Sequence, residues 1–196
     1  EQEEKICNYL DIPIQHINPA ILKRMNRHFS PLEIRNMISK LRERIPDVVL
    51  RTSFIVGFPG EGEQEFKELL DFVEEIQFDR AGVFTYSKEE GTVAAGFPEQ
   101  VDEEIKERRK SALMSVQRKI SKRLNRKRVG RIYRVLIESV QPDDIYVGRT
   151  YGEAPEIDQQ VYVISKSPLK VGDFAEVKIT KAYDYDLLGE TYESGK

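Results

Sequence analysis

The spacing of apolar residues changes once along the chain, near residue 130, and this change restricts the possible folds strongly. Before it, strand-like apolar runs alternate with stretches of helical spacing; beyond it, apolar residues recur at every second position between turn residues. Alternating strands and helices predict a parallel sheet, and short, evenly spaced strands predict a small barrel. We therefore expect an α/β segment over residues 1–100, a connecting helix over residues 101–130 and a small antiparallel β-barrel over residues 131–196.

Three strands are predicted in the α/β segment, at Tyr9–Ile14, Val48–Phe58 and Ala81–Tyr86. The second is almost continuously apolar, which is typical of a strand buried on both faces. Two helix starts are marked, by Asn18 before a proline and by a capping box from Ser30 to Glu33. A doubly wound sheet and part of a β/α barrel both fit this order, and both bind ligands at the carboxyl ends of their strands.

Charge is distributed unevenly, although the whole chain carries only −3. Residues 106–134 hold thirteen lysines and arginines and one glutamate, a net charge of +12, whereas residues 135–196 sum to −6 and residues 1–105 to −9. A cationic helix of this kind either binds nucleic acid or presents an ordinary solvated face. The two interpretations carry equal weight from sequence alone.

Cysteine content and hydropathy exclude other classes. The single cysteine, Cys7, excludes an internal disulfide framework and a multi-cysteine metal site within the chain, and we expect it to be a small buried hydrophobe. No apolar run is long enough for a membrane span, and the acidic start is unlike a signal peptide. These features favour the cytoplasm and no membrane association.

Candidate binding residues lie on the predicted strands and just beyond their ends. Gly57 and Pro59 form a stiff turn in which backbone could approach a ligand, although an ordinary strand-to-helix turn would look the same. Arg51 interrupts an apolar strand and must pair with something, either a structural carboxylate or a bound carboxylate or phosphate. Phe84 and Tyr86 could line an adenine pocket or pack in the core. His16, after Gln15, is expected to be a hydrogen-bonded structural residue.

Taken in order, several segments resemble the radical-SAM methylthiotransferases. The resemblance rests on residues 9–16, 21–27, 51–61 and 84–92, and residues 148–150, 154–158 and 184–190 resemble the TRAM domain of that family. Ser53 stands where the family's strand motif has its first glycine, and Glu61 lies one residue late. The runs at 11–16, 154–158 and 184–190 are similar to the members that methylthiolate an aspartate of a small-subunit ribosomal protein.

The resemblance implies a fold and a cofactor. It implies the second half of a radical-SAM β/α barrel followed by an OB-like TRAM barrel. It also implies S-adenosylmethionine, with Gln15 on the ribose hydroxyls, Arg51 on the methionyl carboxylate, backbone at Gly57 and Pro59 near the nucleoside, and Phe84 and Tyr86 beside adenine. No catalytic or metal-binding residue is assigned within the chain.

The family's iron–sulfur cysteines have no counterpart in this sequence. The two 4Fe-4S clusters of the resembled enzymes need several thiolates, and Cys7 belongs to neither motif. We therefore expect this chain to be inactive alone and its first strand to leave an unpaired edge. The expected partner is a basic small-subunit ribosomal protein, with ribosomal RNA contacts through the basic helix. The alternatives are a fragment of a tRNA-modifying methylthiotransferase and a non-catalytic module that binds the ribosome or RNA.

Overall fold

The computed structural model describes residues 6–193, which form two compact units. One unit spans Leu10–Ile120, and the other combines residues 6–9 with residues 121–193. The helices and strands, in chain order, are β1 (Tyr9–Asp11), α1 (Pro19–Arg24), α2 (Pro31–Arg44), β2 (Val49–Val56), α3 (Glu63–Ile76), β3 (Arg80–Thr85), α4 (Glu103–Arg126), β4 (Ile132–Gln141), β5 (Ile145–Arg149), β6 (Val161–Ile164), β7 (Phe174–Ala182) and β8 (Leu187–Thr191).

The first unit is built on a three-stranded sheet with the order β1-β2-β3. Strands β2 and β3 are parallel, with Phe54 opposite Val83, and a parallel bridge joins Gln15 to Phe54 just beyond β1. The predicted α/β architecture is confirmed. The first strand is shorter than expected, because Pro13 follows it and has no N–H to donate to a neighbouring strand.

Only one face of β2 is fully covered, so the expectation of burial on both faces is wrong. Buried and half-buried residues alternate along the strand. Phe54 points to the covered face, where its ring centroid lies 6.5 Å from that of Phe72 on α3 and 5.8 Å from that of Phe78. Val49 and Ile55 on the other face are apolar too, and this hid the alternation in the sequence. That second face, which we call the open face, is half-exposed.

The predicted helix starts are confirmed. The Asn18 side chain accepts hydrogen bonds from the backbone N–H groups of Ala20 and Ile21 at the start of α1. Ser30 and Glu33 form the reciprocal capping box of α2, with the Ser30 hydroxyl accepting from the Glu33 N–H. These caps fix where α1 and α2 begin, and so fix the length of chain between β1 and β2.

The second unit is a closed five-stranded barrel with the order β4-β5-β6-β8-β7. Four neighbouring pairs are antiparallel, and β6 with β8 is parallel. A ring with an odd number of strands cannot alternate direction all the way round, so one parallel pair is required. The barrel interior is filled by alternate residues of its strands, among them Val135, Ile137, Tyr146, Val161, Val163, Val177, Ile179 and Leu187.

Two smaller expectations concern single elements. Cys7 is exposed, so its expected burial is wrong; it precedes β1 and is not packed into either core. The long helix is confirmed, as α4.

Within residues 6–193 no helix combines the length and the apolar character that crossing a membrane would require.

Candidate functional site

The turn after β2 depends on two glycines with positive φ. Gly57 has φ of +71° and Gly60 has φ of +88°, a conformation that L side chains rarely adopt. A Cβ on Gly57 would overlap the aliphatic chain of Lys106, and a Cβ on Gly60 would overlap the guanidinium of Arg24. The close approach that glycine permits here is therefore used by two cationic side chains of the same unit.

A buried carboxylate, that of Glu61, organises this turn. Its Oε2 accepts the backbone N–H of Gly57 at 2.9 Å, and its Oε1 lies 3.0 Å from Nη1 of Arg109. Its side chain is fully buried. A buried carboxylate is tolerated only when it is paired and hydrogen-bonded, and both conditions hold here.

His16 faces the same carboxylate from the end of the first strand. Its Nδ1 accepts the backbone N–H of Asn18 at 3.0 Å, so in the neutral ring the proton is on Nε2. Nε2 lies 3.5 Å from Oε2 of Glu61, beyond hydrogen-bond distance, and has no hydrogen-bond partner among the described residues. His16 is hydrogen-bonded through Nδ1, as expected, and its structural role stays a prediction.

Two side chains of helix α4 donate hydrogen bonds to residues at the ends of β2 and β3. Arg109 also donates to the Glu61 carbonyl at 2.8 Å and to Glu63 at 3.0 Å. Lys106, which is buried, donates from Nζ to the Tyr86 carbonyl at 3.0 Å and pairs with Glu103. These two cations hold the ends of neighbouring parallel strands in one arrangement. We call His16, Glu61, Lys106 and Arg109 the strand-end cluster.

Tyr86 belongs beside this cluster. Its ring meets that of Phe58 edge to face at 5.1 Å, and the Lys106 ammonium lies 5.3 Å from its centroid. The hydroxyl of Tyr86 is buried and has no hydrogen-bond partner among the described residues. Gly57, Pro59 and Tyr86 are therefore brought together, as three of the six predicted site residues.

Arg51 and Phe84 lie elsewhere, on the open face of the sheet. Gly82 lies between them, and a Cβ there would be 3.2 Å from the Phe84 ring and 3.7 Å from Nη2 of Arg51. Arg51 pairs with Asp11 at 2.6 Å, whereas 55% of Phe84 is exposed. Six residues of strand, about 20 Å, separate Arg51 from Gly57. The predicted site is thus divided into two groups along β2.

Gln15 lies between the two groups and has a constrained backbone. Its φ is 73°, unusual for a residue other than glycine. Two hydrogen bonds hold this conformation, from the Gln15 N–H to the Ser53 carbonyl and from the Ile55 N–H to the Gln15 carbonyl, each 2.9 Å. Such conformations persist only where their surroundings impose them, and they are frequent at binding sites.

The electrostatics outside the buried cluster are simpler. Arg109 donates a hydrogen bond to the exposed Glu63, and this bond and the cation's charge hold the pKa of the Glu63 carboxyl below its usual value. Among residues 6–193, no three histidine, cysteine, aspartate or glutamate side chains are grouped so that they could hold a metal ion.

Lys106 and Arg109 were missed as site residues by sequence reasoning, which counted them only as part of the basic stretch. A signal for them exists in their spacing. They precede Leu113, Gln117 and Ile120 at intervals of three and four, so all five lie on the buried face of α4.

Two family models match separate parts of the chain. Residues 2–73 match the model of the Radical SAM superfamily, and residues 129–191 match that of the TRAM domain. Curated relatives bear the name ribosomal protein uS12 methylthiotransferase RimO. The Clostridioides difficile protein is 52% identical, and the alignment covers 95% of this chain and 42% of the relative. The Acetivibrio thermocellus protein is 51% identical, and the alignment covers 98% of this chain and 43% of the relative. The Alkaliphilus oremlandii protein is 48% identical, and the alignment covers 100% of this chain and 45% of the relative.

Among solved structures, the radical SAM enzyme coproporphyrinogen III oxidase (HemN) from Escherichia coli aligns with a TM-score of 0.47 at 15% identity. The alignment covers 87% of this chain and 41% of that one, a likeness too weak to carry an argument.

Fold, strand-end turn and matched families together define the chain as a radical SAM superfamily segment followed by a TRAM domain. Identity near one half over nearly the whole chain then makes it a RimO-like methylthiotransferase sequence. The chain spans less than half the length of these curated relatives.

Proposed function

We propose that this chain is part of an enzyme that methylthiolates the β-carbon of an aspartate in the small-subunit ribosomal protein uS12. The observation that carries the proposal is the identity of 48–52% to RimO proteins of three genera over 95–100% of the chain. The cytoplasm is the compartment expected for a protein that modifies ribosomes.

The residues of the α/β unit fit S-adenosylmethionine, which supplies the radical and the methyl group in enzymes of this class. The open face offers the Arg51 guanidinium for a carboxylate and the exposed Phe84 ring for adenine stacking. Gln15 would hydrogen-bond ribose hydroxyls, and the turn at Gly57 and Pro59, with Tyr86 behind it, would bound the nucleoside. A ligand carboxylate that bound Arg51 would replace Asp11 or share the guanidinium with it.

The residues of this chain do not fit an iron–sulfur cluster. Such clusters are held by several thiolates, and Cys7 is the only cysteine of the sequence. In the proposed enzyme, ligands for both expected 4Fe-4S clusters would come from polypeptide other than these 196 residues. The role proposed for this chain is accordingly to bind and orient, with no step of the radical chemistry on its own side chains.

Charge supports a basic protein as substrate. Residues 135–196, which hold most of the TRAM domain, carry −6, whereas a surface that binds RNA phosphates needs cations. An acidic surface is complementary to a basic ribosomal protein and would steer its approach. Two exposed cations, Arg123 in α4 and Lys127 just after it, would add contacts to ribosomal RNA.

A chimera tests the proposal. This chain would replace the matching segment of the Clostridioides difficile relative, in cells that lack their own enzyme. Mass spectrometry of uS12 is expected to show the methylthio group. Unmodified uS12 from a chimera that folds and binds its clusters would contradict the proposal, and methylthiolated tRNA instead would indicate the tRNA-modifying alternative.

Cofactor placement is tested in the same chimera by Arg51→Ala. The affinity for S-adenosylmethionine, measured calorimetrically, is expected to fall because the carboxylate loses its cation. Arg35→Ala is the matched control, since Arg35 is also ion-paired, to Glu75, but lies on α2. Equal affinity in the two variants would remove Arg51 from the site.

A further inference from the structure

The two sides of the barrel have different outer surfaces. On β4 and β7 the outward positions mix charged and apolar residues: Arg134 lies directly opposite Glu176, and Ile132, Val140 and Phe174 are exposed. On β5, β6 and β8 most of the residues that alternate with the core are apolar, with Ile145 opposite Ile164 and Tyr162 opposite Leu188, although Arg149 and Glu190 also face outward. Alternation normally places polar residues on the outside of a barrel of this kind, so this apolar side needs a separate explanation.

These apolar residues form the floor of a surface groove of about 500 Å³. Tyr183 and Asp186, from the hairpin between β7 and β8, form one wall, and Gln141 forms the other. The groove is accessible, since 47% of Ile164 on its floor and 42% of Tyr183 in its wall are exposed. We call this surface the barrel groove, lined by Gln141, Ile145, Tyr162, Ile164, Tyr183, Asp186 and Leu188.

The charges around the groove select between ligand classes. Asp186 is the only charged residue of the lining, and Asp143 and Asp144 precede Ile145 at its edge. Glu190 is the cross-strand neighbour of Ile164, but it also neighbours Lys178. On the cationic side, Lys181 lies over the Tyr183 ring at 4.9 Å, and Lys166 follows Ile164 by two residues.

A nucleic acid would meet no cation on the groove floor and a carboxylate in its wall. Phosphate binding depends on lysine and arginine, so this lining disfavours it. An extended polypeptide suits the same surface, because apolar side chains can enter the groove while lysines or arginines meet Asp186, Asp143 and Asp144.

We propose that the barrel groove is the docking site for an extended, cationic segment of the protein substrate, with an apolar side chain of that segment seated between Tyr162 and Ile164. The inference rests on the proposed function in so far as the substrate is a ribosomal protein. It assigns substrate recognition to one side of the barrel rather than to the charge of the domain as a whole.

The test titrates the full chain with purified uS12 and measures binding by fluorescence anisotropy. Ile164→Ser and Asp186→Asn change the groove, and the asparagine keeps an oxygen that can accept the Gln160 N–H now bound by Asp186. Their matched controls are Ile132→Ser, at an isoleucine that is 42% exposed on β4, and Glu176→Gln on β7. All four positions are at the surface, and circular dichroism checks that each variant folds.

Both groove variants are expected to weaken uS12 binding about tenfold, with the controls within twofold of the original chain. Equal affinities in all four variants would overturn the groove while leaving the proposed function intact. Absence of uS12 binding to the unchanged chain would overturn the groove as a docking site, and the chimera would decide the proposed function separately. Single-stranded RNA binding that Ile164→Ser abolishes would also overturn it.

Discussion

Glu61 has an unusual position for a carboxylate, because it is fully buried and lies against a glycine turn. Its two oxygens join two elements, the end of β2 through Gly57 and α4 through Arg109, while His16 Nε2 lies 3.5 Å away. Removing one partner would leave a charge in a site from which water is excluded. Single substitutions in this cluster are therefore informative about how the turn is held.

Replacing Arg109 by methionine is expected to destabilise the α/β unit by about 3–5 kcal/mol, because Glu61 keeps its buried charge without a cation. Glu61→Gln should cost less, since Arg109 retains Glu63. The free energy of unfolding should fall less in the double variant than the sum of the two single losses. Amide hydrogen exchange in β2 and α3 measures this unit separately; strictly additive losses would contradict the coupling.

The pKa of the Glu63 carboxyl should also depend on Arg109. The pKa of this exposed carboxyl is below its usual value because Arg109 donates a hydrogen bond to it. In Arg109→Met the pKa of Glu63 should rise towards the usual value, as followed by NMR of the carboxyl carbon. An unchanged pKa would mean that Arg108, the other cation beside Glu63, dominates.

Alanine substitutions at two glycines distinguish the cost of backbone strain from the cost of steric crowding. Gly57 and Gly91 both have positive φ, but a Cβ would meet Lys106 at Gly57 and nothing within 4 Å at Gly91. Gly91→Ala is expected to cost about 1 kcal/mol from strain alone, and Gly57→Ala clearly more. Hydrogen exchange at the end of β2 provides the comparison, and similar losses at the two positions would show that Lys106 moves aside freely.

At the scale of elements, helix starts could be predicted from sequence because their signals are local. Ser30 and Glu33 are three residues apart, and the capping box follows from that spacing. The burial of Lys106 and Arg109 could not be predicted in the same way. The counterions of Arg109, Glu61 and Glu63, and the Tyr86 carbonyl that Lys106 binds lie far away in the sequence, and only the fold brings them together. The division of the predicted site has a similar cause, since the register places Phe84 opposite Ile55 and the fold brings its ring and the Arg51 guanidinium to the same glycine, Gly82.

The capping box gives a pH prediction for α2. The backbone and hydroxyl of Ser30 hold the pKa of Glu33 below its usual value of 4.5. Because the folded pKa is lowered, this carboxylate stabilises the folded state above the usual pKa and loses that effect as pH falls through the folded value. The advantage of the natural chain over Glu33→Gln should thus be present at pH 7 and shrink towards pH 3.

Hydrogen exchange in α2 is the measurement for this effect, and Ser30→Ala is its companion variant. Loss of the Ser30 hydroxyl removes the other half of the box and is expected to cost about 1 kcal/mol. A stability difference between the natural chain and Glu33→Gln that stayed constant from pH 7 to pH 3 would contradict a role for the ionised carboxylate.

At the scale of the whole molecule, charge is separated into an acidic, a basic and a second acidic segment. The salt dependence of RNA binding tests whether the basic segment contacts RNA. Arg123→Glu with Lys127→Glu should weaken RNA binding at low salt, and reduce by about one to two the slope of log affinity against log salt concentration. Lys40→Glu with Arg44→Glu is the control, since it reverses two exposed cations four residues apart on α2. Equal effects would indicate only net charge.

The parallel seam between β6 and β8 has a consequence for how the barrel forms. Strand β8 is hydrogen-bonded to both β6 and β7, so the ring stays open until residues 187–191 are in place. During synthesis, β4 to β7 are complete while two of their edges are still unpaired. The barrel therefore closes in a single late event, and a nascent chain halted before Leu187 would expose those edges to any strand nearby.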